Sequence, residues 1–164
     1  MKRCNHYDVA FEELLRRLRR PYVAVNETRR ALSQTASLKS IDFIVSSAQS
    51  QSLLVDVKGR RLSPGSRCWN NWTPEDDLTS LAQWEAVFGN SFRALLVFAY
   101  DITGPQKRAQ HDLIWEIQGR RYAFYGVWAD EYAQAKKVYS PRWNTVTVPA
   151  ETFRRLRRPL LDLL

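Results

Sequence analysis

The chain has 164 residues, 45% of them hydrophobic and 26% charged, a length and balance that suit one domain with a hydrophobic core of its own. Two cysteines, Cys4 and Cys68, and two histidines, His6 and His111, make neither a disulfide framework nor a zinc ligand set, and no apolar run approaches the roughly 20 residues of a membrane-spanning helix. The net charge of +8 comes mainly from paired arginines, at 16–17, 19–20, 29–30, 60–61, 120–121, 154–155 and 157–158. Such a surface favours a polyanion, because the guanidinium fork matches phosphate oxygens.

Residues 7–20 read as an amphipathic helix, with Tyr7, Phe11, Leu14, Leu15 and Leu18 on one face and Pro21 as its stop. Asp8 and Glu12 flank that stripe, and Glu13 points away from it. A short strand is expected at 22–25, leading into Asn26, Glu27 and a basic connection. Residues 41–46 and 53–58 read as two more strands around a polar turn, with Gly59 ending the second. Residues 63–72 form a loop with two tryptophans. Thr73 suits a helix cap, Pro74 the first helical position, and Glu75 and Asp76 the positive end of the dipole. This helix runs to about Phe88 and stops at Gly89. Residues 92–102 are apolar on both faces and read as a central strand. A hairpin around Gly119, a short helix capped by Asp130, a strand at 146–148 and a basic C-terminal helix complete the chain. Helices and strands share one mixed sheet, an α/β fold.

The run Leu53, Leu54, Val55, Asp56, Val57, Lys58 carries the chemistry. Alternation puts Leu53, Val55 and Val57 on one strand face and Leu54, Asp56 and Lys58 on the other. The preceding strand carries Asp42 among apolar neighbours. Carboxylates in such runs are costly unless paired or bound to a cation. A Mg²⁺ between them, with Mn²⁺ as a substitute, would lower the pKa of a bound water and stabilise charge on a phosphoryl oxygen. Lys58 beside it would position that water.

Asp42 followed by Asp56, Val57 and Lys58 resembles the D…(D/E)xK signature of the PD-(D/E)XK nuclease superfamily, in a layout similar to Holliday-junction resolvases. The resemblance covers about residues 7–102. It implies a restriction-endonuclease-like αβββαβ core with a C-terminal hairpin and helix extension over about 103–164, in one domain. It also implies a Mg²⁺-dependent nuclease acting on nucleic acid, DNA ahead of RNA, and a possible homodimer. The superfamily's first-helix acid falls on Asp8 or Glu12. Glu12 is preferred as the acid nearer the next strand, with Glu27 as a rival. The superfamily's glutamine on the following helix matches Gln83, although the helical wheel sets it off the apolar stripe. Ile41 stands where the superfamily has proline.

Lys39, Arg29, Arg30, Arg60 and Arg61 are candidate phosphate contacts, the last two at the mouth of the site. Trp69 and Trp72 suit either stacking on bases or folding onto the core, with the core favoured. His6 and His111 read as surface residues, and Cys68 has no activating histidine nearby. The alternative to an enzyme is a non-catalytic nucleic-acid-binding domain on the same scaffold. No signal peptide is apparent, and the cysteine usage suits a cytoplasmic setting.

Overall fold

The structure is a computed structural model that describes residues 5–26, 31–32, 37–47, 51–62, 69–102, 104, 111 and 113–164. Helix α1 (His6–Arg17) leads into strands β1 (Tyr22–Ala24), β2 (Ala31–Leu32), β3 (Ser37–Leu38), β4 (Phe43–Val45), β5 (Ser52–Arg61) and β6 (Thr73–Pro74). Helix α2 (Glu75–Phe88), β7 (Phe92–Asp101), β8 (Trp115–Ile117), β9 (Arg120–Trp128) and α3 (Ala129–Ala135) follow. The chain continues through β10 (Lys137–Ser140), β11 (Thr145–Thr147), α4 (Ala150–Leu156), β12 (Arg158–Pro159) and a 3₁₀ turn at Leu160–Asp162. Among the described residues, no helix is long and apolar enough to cross a membrane.

The main sheet runs β1-β4-β5-β7-β9-β12, with β8 paired to β9 outside that path. β5 and β7 are parallel from Ser52 opposite Phe92 to Arg61 opposite Asp101, and α2 makes the crossover between them. The other pairs in this sheet are antiparallel. β7 lies between β5 and β9 with Ala94 to Asp101 all buried, as expected for a strand covered on both faces.

Alternation along β5 divides the interior in two. Leu53, Val55 and Val57 pack under α1 with Phe11, Leu14, Leu15 and Phe43. Leu54 faces the other way, into a core with Leu78 and Leu81 of α2, Tyr132 of α3 and Phe153 of α4. Leu160, Leu163 and Leu164 return to the α1 side and close that core. Asp56 and Lys58, two and four residues after Leu54, share its face of the strand.

Several boundaries differ from the sequence expectation. Gly59 does not end β5. The strand runs through it to Arg61, and a Cβ there would stand 2.0 Å from the Tyr7 ring. The glycine therefore lets the first turn of α1 lie directly on the sheet. α1 stops at Arg17, short of residue 20, because Arg19 turns left-handed at φ 53°. Thr73 is not a helix cap, since Thr73 and Pro74 pair with Val146 and Thr145 of β11 and the helix begins at Glu75. Asp130 does not cap α3, and its carboxylate pairs with Arg93 instead.

A second sheet, β10-β11-β6, stands beside the N-terminus of α2. Buried Asn71 ties it together. Its Oδ1 accepts the Val148 N–H at 2.8 Å and the Thr147 hydroxyl at 3.0 Å, and its Nδ2 donates to the Val148 carbonyl at 3.0 Å. The Tyr132 hydroxyl donates to the Asn71 carbonyl at 2.6 Å. No expectation from sequence covered β6, β10 or this node.

Candidate active site

The site opens where two strands part. β4 begins at Phe43 opposite Val55, so beyond Val55 the β4-facing edge of β5 has no strand of β4 beside it. Asp42 takes over the missing partner's role. Its Oδ2 accepts the Val57 N–H at 2.6 Å, so the strand edge is satisfied by a carboxylate. A cavity of about 350 Å³ lies at this splay, lined by Asn5, Asp8, Lys39, Ser40, Asp42, Asp56, Val57, Lys58 and Asp77. Asp8 comes from the first turn of α1 and Asp77 from the first turn of α2, so both helices aim their N-termini at the cavity.

Lys58 is the hub. Its Nζ lies 2.8 Å from Asp56 Oδ2 and 2.5 Å from Asp77 Oδ2. Asp77 Oδ1 in turn accepts from Lys39 Nζ at 2.6 Å. Lys39 is fixed by its backbone, whose N–H donates to the Ser80 hydroxyl and whose carbonyl accepts the Trp84 indole N–H at 2.8 Å. Burial works against the charge on Lys58, but Asp56 and Asp77 outweigh it and hold the ammonium above its ordinary value. Burial likewise works against ionised Asp77, and Lys58 and Lys39 prevail and hold its carboxyl below the usual range. Lys58 is therefore a fixed cation at neutral pH, suited to orienting oxygen atoms and stabilising negative charge, and not to taking a proton.

Asp42, Asp56, Lys58 and Lys39 thus meet in one cavity. Glu12 does not join them. It lies one turn further along α1, where it accepts from Arg16 at 3.1 Å and from the Tyr22 hydroxyl at 2.8 Å. The acid that α1 brings to the cavity is Asp8, because the helix enters by its N-terminal end. Gln83 is exposed on α2, and the side chain that this helix supplies is Asp77. Asp77 stands four residues before Leu81 and seven before Trp84, so the helical period carried that signal. The acidic cluster at the helix start read more simply as dipole stabilisation. Arg60 is not at the mouth of the cavity. It is tucked under Trp72, donating to the Gly59 carbonyl at 2.6 Å and to the Trp72 carbonyl, with its guanidinium carbon 4.0 Å from the indole centroid. Arg61 is exposed. Glu27, Arg29, Arg30 and Cys68 lie outside the described residues.

His6 is exposed, as expected, and His111 is half-buried. His6 Nδ1 lies 2.8 Å from the Tyr122 hydroxyl. His111 Nδ1 lies 3.1 Å from the Tyr125 hydroxyl, and its ring packs at a 38° tilt against Trp69, which Arg157 covers from 3.4 Å. Trp69 belongs to the core, and Trp72 does not share that cluster.

No protein-family model matches the sequence, and no curated protein sequence matches it. A solved structure does. The chain superposes on Hjc, a Holliday junction resolvase from the archaeal hyperthermophile Archaeoglobus fulgidus, with a TM-score of 0.56 over 96% of this chain and 97% of that one. The fold is restriction-endonuclease-like. The identity is 13%, so this likeness describes the architecture: an αβββαβ core with a C-terminal extension, on which β8 and β9 continue the main sheet. Among the described residues, no three Asp, Glu, His or Cys side chains form a ready-made metal cluster. The Asp56 carboxylate is engaged by Lys58, and the Asp42 carboxylate by the Val57 N–H.

Proposed function

We propose that this chain is a metal-dependent nuclease of the PD-(D/E)XK type, hydrolysing phosphodiester bonds, with DNA the preferred substrate. The observation that carries this reading is the single cavity into which α1, β5, α2 and the entry to β4 direct Asp8, Asp42, Asp56, Lys58 and Asp77. The donor set is chemically suited to Mg²⁺, a hard ion that takes one or two carboxylates and fills its remaining positions with water and substrate phosphate. Asp42 and Asp56 would hold the ion, with Asp8 as the further acid. Bound there, it supplies Lewis-acid polarisation of a phosphoryl oxygen and a more acidic water.

The chain's own groups do the rest. Lys58, kept protonated by its two carboxylates, directs N–H donors toward a water or a phosphoryl oxygen in the cavity. Asp77 positions Lys58, and Lys39 balances the second oxygen of Asp77. Asp42 fixes the edge of β5 at Val57, between Asp56 and Lys58.

The test is Mn²⁺ binding followed by calorimetry, alongside cleavage of plasmid and oligonucleotide DNA in Mg²⁺. The parent should bind Mn²⁺ and cut, and Asp56→Asn should lose both while keeping its thermal midpoint within a few degrees. A parent that binds no divalent ion and cuts no substrate would leave only a nucleic-acid-binding domain on this scaffold.

A further inference from the structure

The small sheet β10-β11-β6 has no part in the chemistry proposed above, yet it carries an unusual surface. Val138, Tyr139 and Trp143 are 70%, 58% and 70% exposed, and all three belong to one hairpin. Large apolar side chains exposed on one short hairpin offer a surface on which a partner can bind. The Tyr139 ring lies parallel to Trp72, within 1° and with centroids 6.4 Å apart, and a cavity of about 240 Å³ is lined by both. The cationic partners are arginines: Arg60 lies over Trp72, and Arg142 is 5.3 Å from the Trp143 centroid. Of the α2 carboxylates beside the hairpin, Glu75 is paired with Lys136, and Asp76 Oδ1 accepts from Asn144 Nδ2 at 3.5 Å.

This surface adjoins the candidate active site through two elements. Along β5, Asp56, Lys58 and Arg60 alternate onto one face, so the strand that holds the proposed metal ligand also delivers the arginine beneath Trp72. At the hairpin tip, the Asn144 carbonyl accepts the Glu75 N–H at 2.9 Å, two residues before Asp77. The platform and the cavity are therefore fixed to each other by hydrogen-bonded backbone.

We propose that Trp72, Tyr139 and Trp143, with Arg60 and Arg142, form a base-stacking platform for unpaired nucleotides of the nucleic acid whose backbone enters the Asp56 and Lys58 cavity. The inference rests on the nuclease reading for the identity of the neighbouring site. Tyr139 and Trp143 offer exposed rings beside half-buried Trp72, and bases stack on such rings without regard to sequence; exposed Arg142 meets the accompanying phosphates, while Arg60, held by the Gly59 and Trp72 carbonyls, backs the Trp72 ring. The favoured substrate class is accordingly DNA with a single-stranded arm, gap or branch, over a blunt duplex.

The experiment uses the full chain in EDTA, so that neither metal binding nor cleavage enters the readout. Fluorescence anisotropy is measured for a single strand of about 12 nucleotides, a blunt duplex, and a duplex carrying a single-stranded arm, a length within one stacking site's range. The variants are Tyr139→Ala with Trp143→Ala, both at exposed positions, and Tyr139→Phe with Trp143→Phe as the ring-preserving control. The alanine pair should weaken binding of the single strand and the armed duplex by about tenfold or more, given the usual worth of base stacking on an aromatic ring. Binding of the blunt duplex should stay within about twofold, and the phenylalanine pair should bind like the parent. Unchanged single-strand binding, an equal loss on all three ligands, or a parent that prefers the blunt duplex would each overturn the platform. Cleavage and Mn²⁺ binding by the same variants separate the two readings. A platform that fails while cleavage persists leaves the nuclease standing, and ring-dependent binding without cleavage leaves the platform standing.

Discussion

Lys58→Met tests the electrostatics of the cavity apart from any catalysis. The substitution keeps most of the side-chain volume and removes the charge shared by Asp56 and Asp77. The three side chains are 12%, 15% and 11% exposed, so the group is nearly but not wholly dry. Removing one partner from a buried ion pair costs about 3–5 kcal/mol. Here Asp77 keeps Lys39, which is 35% exposed, and some water reaches the carboxylates. The expected loss at neutral pH is therefore near the lower end, about 3 kcal/mol. For a chain of this size that lowers the thermal midpoint by roughly 6–12 °C. The pH dependence carries a definite sign. Asp77 has its carboxyl depressed in the fold, so its contribution is full above the ordinary value of 3.8 and is lost as pH falls through the folded value. Lys58 is raised, so its contribution is full below 10.5 and is lost as pH rises through the folded value. The parent should gain no stability from this group outside that window. The deficit of Lys58→Met should be largest between the two limits and shrink on acidification, as the abandoned carboxylates take up protons. Urea unfolding at a series of pH values measures it. A variant within about 0.5 kcal/mol of the parent at neutral pH, the range of an ordinary surface substitution, would refute the buried triangle.

Three further outcomes follow from the way α1 reaches the cavity. Gly59→Ala places a methyl group 2.0 Å from the Tyr7 ring, so it should destabilise the chain by about 1–3 kcal/mol in urea unfolding, and Tyr7→Ala in the same chain should recover part of that loss. Asp8→Ala should weaken Mn²⁺ binding by about tenfold or more in calorimetry, as expected when a group that holds or orients a metal is lost. Glu12→Ala, which breaks a surface pair with Arg16, should leave Mn²⁺ binding unchanged and cost less than about 1 kcal/mol.

The strands that build the site were legible because their signal is local. A carboxylate and a lysine two residues apart in an apolar run specify one face of a strand, and β5 presents Asp56 and Lys58 on the face opposite Val55 and Val57. Central β7 was equally plain, since ten residues without a polar face have no solvent side. The small sheet was not legible. β6 has two residues, one of them proline, and its partner β11 lies some 70 residues away. Nothing local distinguishes Thr73 as a strand residue from Thr73 as a helix cap, and Pro74 with the first-turn carboxylates of Glu75 and Asp76 pulled the boundary back. Asn71, which joins the two, reads in sequence as one loop asparagine beside another.

The remaining acids show where periodicity stops being informative. Asp8 and Glu12 are one turn apart on the same flank of α1, so both have a claim on a site beside that flank, and only nearness to the next strand favoured Glu12. What separates them is which end of the helix stands over the parting of β4 and β5, a property of how the helix seats on the sheet. Gly59 governs that seating. By removing a side chain at the one position where Tyr7 must lie against β5, it lets the first turn settle close to the strand, and Asp8 is the next residue along. Gly59 looked like punctuation ending a strand, and it is better understood as the socket that brings the first-helix acid to the cavity. The seating also explains why Glu12 pairs with Arg16 and Tyr22: one turn further on, the helix has passed from the cavity onto the α1-side core.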